Sequence, residues 1–467
     1  MAHGRDRGDL KGKKYEIDMT HGPLLPKILL FAVPLLFSSV LQLLFNAADI
    51  VVVGRFGADG AHSIAAVGST GSIINLIVSL FIGLSVGVNV LAARYYAAEE
   101  KQNMSETVHT SICLSLIGGV LIGALGFAIA RPVLIMMKTP AEVLPLATLY
   151  MRIYFLGAPV LFLYNAGSSI LRAIGDTRRP LYFLIISGVI NVALNLLFVI
   201  VFHLDVAGVA IATVISEAVS AVLILMCLIR TGESYRLILS RIRIHGHKLA
   251  LILQIGVPAG VQSMIFSFSN VLIQSSVNSF GSIAMAGNAA AANLEGFVYM
   301  SMNAVYQASV SFTSQNYGVG DMKRVNRVLF TCLATVAVIG LAMGNLFYLC
   351  GHGLLSLYTS DPVAIEFGMK RMGVICTLYL LCGMMDAVCG SIRGLGYSVV
   401  PMVVSLIGAC GFRILWIYTY FSTHRSLTVL YWSYPISWAM TGAVHLICYF
   451  LIRKHLIAMM SKERKTT

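Results

Sequence analysis

The sequence predicts an all-α integral membrane protein, with twelve transmembrane helices in two six-helix lobes related by a parallel internal repeat. Three observations predict it. Hydrophobic residues make up 58% of the 467-residue chain and charged residues only 11%. A soluble domain carries about 25% charged residues, so a solvated surface of ordinary size cannot be built from this chain. The apolar residues fall in twelve runs, each long enough to cross a hydrocarbon core of about 30 Å. The second half then repeats the first at a near-constant offset of 221–224 residues.

The twelve runs are 27–53, 61–93, 107–130, 143–171, 180–203, 207–230, 248–280, 283–315, 324–350, 363–392, 398–421 and 426–453. All are continuous, unlike the short alternating segments of a membrane β-barrel. The first is too long for the apolar core of a cleavable signal and follows a polar, basic segment, so it reads as a retained helix. The organisation predicted is a tail (1–26), a first lobe (27–230), a linker (231–247), a second lobe (248–453) and a final tail (454–467). The linker is the longest polar stretch between runs and carries Arg236, Arg241, Arg243, His245 and His247.

Charge placement gives the orientation. With the N-terminus in the cytoplasm, 25 of the 33 Lys and Arg residues fall on cytoplasmic segments. Only Arg55, Arg131, Lys138 and Arg425 fall on outer loops. This is the positive-inside pattern, with both termini cytoplasmic in a bacterial-type inner membrane. The net charge of +13 is therefore a topology signal and gives no support to nucleic-acid binding. The nine cysteines show no disulfide or zinc spacing and read as small packing residues. No Gly-x4-Gly-Lys-Ser/Thr loop, HExxH, GxSxG or CxxC pattern occurs, so neither ATP hydrolysis nor enzyme chemistry is expected, and no cofactor.

The repeat is visible residue by residue. Pro34 matches Pro258, Asn46 matches Asn270, and Phe56-Gly57 matches Phe280-Gly281, all at an offset of 224. Leu171-Arg172-Ala173-Ile174-Gly175 matches Ile392-Arg393-Gly394-Leu395-Gly396, and Pro180 matches Pro401, at an offset of 221. An even number of helices per half inserts both halves in the same sense, which places a solute path between them.

Ionisable groups in a bilayer are costly and are functional candidates by default. Four acids lie well inside runs: Asp49, Glu217, Glu295 and Asp386. Asp49 is flanked by Ile and Val, so it either holds a cation or stays protonated. Asn191 and Asn195 are one helical turn apart on the fifth run at a depth similar to Asp49. Amide oxygens and a carboxylate can form an all-oxygen cation site, and interhelical hydrogen bonding is the alternative. Glu217, Glu295, Asp386 and Asn75 are candidates for a substrate cavity, with burial against Arg or a packing hydrogen bond as the alternative. Pro34 and Pro258 each remove a helix hydrogen bond at matched points and are candidate hinges.

With the matched Pro segments, Ala48-Asp49-Ile50-Val51-Val52-Val53-Gly54, Ser314-Gln315-Asn316-Tyr317-Gly318 and the repeated Arg-containing segments, the chain resembles the multidrug and toxic compound extrusion transporters over nearly its full length. The resemblance implies a two-lobe antiporter that exports amphipathic, often cationic compounds against inward sodium or proton flow. It implies small-molecule substrates, a lipid bilayer as surroundings and a functional monomer. The family's first-helix acid matches Asp49, and its fifth-helix Asn-x3-Asn/Asp pair matches Asn191 and Asn195, so this site has one negative charge fewer than in relatives with Asp. Phe266 and Cys382 stand where one branch carries second-lobe acids, while Glu295 resembles an acid on the eighth helix of relatives. The alternative reading is a flippase for lipid-linked sugar precursors, which would need several cavity cations; only Arg152 and Arg413 qualify.

Overall fold

The computed structural model describes residues 15–57 and 60–466, which are helical nearly throughout and contain no strand. Twelve long helical segments follow in order, with short helices at Leu239–Arg241, Gly351–Ser356 and Tyr420–Thr423 besides. They are α1 (Leu24–Phe56), α2 (Gly60–Ala97), α3 (Lys101–Met136), α4 (Leu144–Leu156 with Ala158–Ala173), α5 (Arg178–Leu196, continued by Leu197–Val201) and α6 (Asp205–Arg230). The second set is α7 (Gly246–Asn278), α8 (Ser282–Gly318), α9 (Met322–Leu349), α10 (Pro362–Ile375 with Leu380–Gly394), α11 (Val399–Ser405, Leu406–Gly411 and Phe412–Tyr418) and α12 (Leu427–Thr466). Among the described residues, eleven of these are apolar and long enough to cross a membrane, counting the two-piece α4 and α10 as one span each. The remaining one, α8, carries Ser, Thr, Asn and Gln along its length, and more than half of its residues are buried. Its polar side chains bond both within the helix and to its neighbour: Ser314 Oγ donates to the Val310 carbonyl at 2.7 Å, and Ser309 Oγ to that of Ala387 on α10 at 2.8 Å. Large apolar side chains such as Val189, Val338, Ile407 and Leu451 stay exposed, as lipid-facing residues must.

The chain divides into two compact units. One is Phe37–Gly256 with the described part of Met1–Asp18; the other is Met19–Leu36 with Val257–Thr467. Two of the three junctions fall inside α1 and α7, close to Pro34 and Pro258; the third, between Asp18 and Met19, precedes α1.

Each unit builds its helix contacts on small residues, and the repeat explains which. A Cβ at Gly119 would lie 2.3 Å from Pro159 Cα, and one at Gly123 would lie 2.7 Å from the Phe155 carbonyl oxygen. Their counterparts at an offset of 221 do the same in the other unit. A Cβ at Gly340 would lie 2.7 Å from Leu380 Cα, and one at Gly344 would lie 2.1 Å from the Cys376 carbonyl oxygen. The paired Gly-xxx-Gly ridges thus seat α3 against α4 and α9 against α10. Both α4 and α10 are bent by 47° at their breaks. In α4 the break precedes Pro159, which lacks the donor needed to continue the ladder. Gly344→Val is expected to destabilise the second unit by about 1–3 kcal/mol, because backbone atoms face the added carbons. A thermal melt in detergent that matched the unsubstituted protein would contradict this packing.

The repeated Arg-containing segments are helix terminators. Gly175 (φ 91°) and Gly396 (φ 96°) are left-handed. The N–H of Gly175 donates to Arg172 O and that of Asp176 to Leu171 O; the N–H of Gly396 donates to Arg393 O and that of Tyr397 to Ile392 O. These are two copies of a Schellman cap, which require glycine at the left-handed residue.

Candidate cation site and comparison with known proteins

The first unit brings three sequence candidates together and adds a fourth. Asp49 on α1, Asn191 and Asn195 on α5, and Thr213 on α6 form one hydrogen-bonded cluster. Asn195 Nδ2 donates to Asp49 Oδ1 and, at 3.2 Å, to Asn191 Oδ1. Thr213 Oγ1 lies 3.3 Å from Asp49 Oδ2 and 3.4 Å from Asn191 Nδ2. Asp49, Asn191 and Asn195 are all buried. The side-chain oxygen of Asn195 is buried without a hydrogen-bond partner. A buried acceptor left in this way, next to a carboxylate, a hydroxyl and a second amide, matches the donor chemistry of a hard cation, which takes oxygen ligands.

Thr213 could be found from sequence only through Glu217, which lies one turn further along the same face of α6. Glu217 is half-buried and lies within electrostatic reach of Asp49. Among the described residues it has no hydrogen-bonding or ion-pair partner. Asn75 on α2 is exposed.

The second unit changes the reading of Glu295. Arg371 on α10 clamps it with both ends of the guanidinium: Nε to Oε1 at 2.8 Å and Nη2 to Oε2 at 2.7 Å. Arg371 Nη1 also donates to Asn288 Oδ1 at 2.8 Å, which accepts from the Tyr431 hydroxyl at 3.2 Å. Both charged groups are buried. Glu295 is thus half of a bidentate pair, the burial against Arg that stands as the alternative to a cavity role in the sequence. Arg371 in an apolar run needs an anion, and Glu295 supplies it. Asp386 is half-buried, within electrostatic reach of Arg393. Arg393 is itself held by Tyr306 and by Gln262 Oε1 at 2.7 Å. Arg413 is buried, bonds Ser437 through Nε at 3.1 Å and lies 4.3 Å from the Tyr434 ring centroid.

Comparison with known proteins converges on one family. The MatE family profile matches residues 34–197 and again 258–419, once per repeat. The probable multidrug resistance protein YpnP of Bacillus subtilis (strain 168) is 30% identical over 392 residues, covering 84% of this chain and 87% of that one. The FAD transporter of Shewanella oneidensis is 26% identical over 347 residues, covering 73% and 75%. A crystal structure of MATE in the bent conformation superposes with a TM-score of 0.87 at 21% identity, over 94% of this chain and 98% of that one. A transporter of the MOP superfamily from Pyrococcus furiosus superposes with the same TM-score at 20% identity, over 97% and 99%. The likeness to these two structures gives the fold. The profile match, which spans both repeats, gives the family: the chain belongs to the MatE family of multidrug and toxic compound extrusion proteins, multi-pass membrane transporters of small molecules and not enzymes.

Proposed function

We propose that this transporter is a secondary antiporter, exporting amphipathic, cationic compounds in exchange for sodium or protons by alternating access. The observation that carries this reading is the buried cluster of Asp49, Asn191, Asn195 and Thr213. It holds one carboxylate, and no Lys or Arg among the described residues bonds to it. A carboxylate so placed gains most from an incoming cation. The neutral oxygens around it favour sodium, because a proton needs only the carboxylate, whereas the unpartnered Asn195 oxygen adds a further ligand for a metal cation. Pro34 and Pro258, at the junctions of the compact units, serve as the hinges of the switch. Glu217 and Asp386, with Asn75, take the part of substrate-facing polar groups; Glu295 is already neutralised by Arg371 and takes none.

The reading is tested by efflux of ethidium from proteoliposomes under an imposed sodium or proton gradient. Gradient-dependent export is expected. No export under either gradient would overturn the reading and favour transport of lipid-linked sugar precursors instead. Thr213→Val keeps the side-chain shape and removes the hydroxyl. It is expected to raise the half-saturating cation concentration about fivefold, the equivalent of one hydrogen bond of about 1 kcal/mol. An unchanged cation dependence would remove Thr213 from the site.

A further inference from the structure

A polar cavity lies within the first unit, at the end that the charge distribution assigns to the cytoplasm. Its volume is about 590 Å³, in the range of small-ligand sites. One wall is the first two turns of α3, with Lys101, Glu106 and His109; the other is the linker, with Arg241, Arg243 and His245.

The linker is built into place. Tyr235 is fully buried and its hydroxyl donates to Glu16 Oε1 at 2.8 Å. The Leu237 N–H donates to the Leu228 carbonyl at 2.9 Å. His109 is buried, with its Nδ1 2.6 Å from the Ser105 carbonyl oxygen, and its Nε2 accepts from the Ile238 N–H at 3.1 Å. The His245 N–H donates to Thr110 Oγ1 at 3.1 Å. These bonds fix both walls and leave the cationic heads on the cavity.

The charges are unbalanced. Lys101, Arg241 and Arg243 are exposed, and none of them forms an ion pair among the described residues. Arg243 Nε donates to His245 Nε2 at 3.0 Å, which steers the guanidinium along the cavity wall. The acids nearby are engaged. Glu106 accepts from Gln102 at 3.1 Å and lies 4.0 Å from the Lys248 ammonium, and Glu100 accepts from Asn103. Two guanidinium groups on the linker wall and an ammonium on the facing α3 wall suit a group with several anionic oxygens, which arginine binds in a forked, two-bond geometry.

We infer that this cavity is a phosphate-binding site at the cytoplasmic membrane surface. The phosphate comes either from an anionic phospholipid headgroup or from a phosphorylated solute. The site is separate from the Asp49 cluster and does not depend on which ion is coupled. A headgroup bound there holds the linker against α3, so the surrounding lipid sets the stability of the first unit.

The test uses the full-length protein in nanodiscs of phosphatidylcholine, with or without phosphatidylglycerol, and reads the thermal unfolding midpoint. In a second arm, glycerol phosphate is titrated into the phosphatidylcholine discs. The variants are the double substitution Arg241→Gln/Arg243→Gln and, as a control of equal chemistry outside the cavity, Arg236→Gln. Phosphatidylglycerol is expected to raise the midpoint of the unsubstituted protein and of the control. In the double variant the apparent affinity is expected to fall about 30-fold, near fivefold per arginine removed. A rise with glycerol phosphate alone, lost in the double variant, assigns the site to a soluble phosphate. No response in either arm, a response that survives the double substitution, or an equal loss in Arg236→Gln would each overturn the site.

Discussion

Asp49→Asn is expected to lower gradient-driven export at least about 100-fold, which corresponds to a loss of about 2.8 kcal/mol or more at the coupling step. A cation that moves a two-state transporter from about 1:99 to about 99:1 must bind one state more tightly by about 5.5 kcal/mol. In the cluster of Asp49, Asn191, Asn195 and Thr213, Asp49 carries the single formal charge. The amides and the hydroxyl contribute dipoles only, and the carboxylate supplies most of the differential affinity. Asparagine keeps the size and one acceptor oxygen, so the helices still meet. The protein is expected to reach the membrane in normal amount and to bind substrate, while a gradient no longer drives export. Wild-type gradient-driven export by this variant would remove Asp49 from the coupling site.

Arg371→Met is expected to destabilise the protein by about 3–5 kcal/mol, because it strands the buried Glu295 carboxylate without its partner. That is a large fraction of the about 5–15 kcal/mol that holds a typical domain folded. The pair is bidentate and buried, and Arg371 also satisfies Asn288. The double variant Glu295→Leu/Arg371→Met removes both charges and is expected to recover most of the loss, since a buried ion pair and an apolar pair of similar volume differ little in stability. Thermal melting in detergent distinguishes the two variants. A melt of Arg371→Met equal to that of the unsubstituted protein would mean that Glu295 is not dependent on the pair.

Much of this was legible in the sequence because a bilayer constrains it strongly. Twelve apolar runs and a fixed repeat offset leave few folds open, and the structure carries twelve helical segments in that order. The Asp49, Asn191 and Asn195 cluster was legible because polar groups stand out in apolar runs and the i,i+4 spacing puts the two amides on one face. Thr213 was not, since a threonine in a membrane helix ordinarily bonds back to its own backbone; this one does so too, at 3.0 Å from the Val209 carbonyl, and touches Asp49 as well. For Glu295 the sequence left a cavity acid and burial against Arg both open, because its partner lies 76 residues away and no local spacing shows the pair. The matched Gly119/Gly123 and Gly340/Gly344 ridges were in the repeat from the start. Their meaning needed the neighbouring backbone, since glycine is frequent in membrane helices for several reasons.

Coupling of export to a cation held at Asp49 is open to direct measurement. The most direct measurement records sodium entry and luminal pH in the same proteoliposomes while substrate leaves, with the unsubstituted protein and with Asp49→Asn. The account predicts that one of the two cations, sodium by the chemistry of the site, enters in fixed proportion to substrate export, and that this entry stops in the variant. Substrate export with neither cation moving, or cation entry that persists in Asp49→Asn, would contradict it.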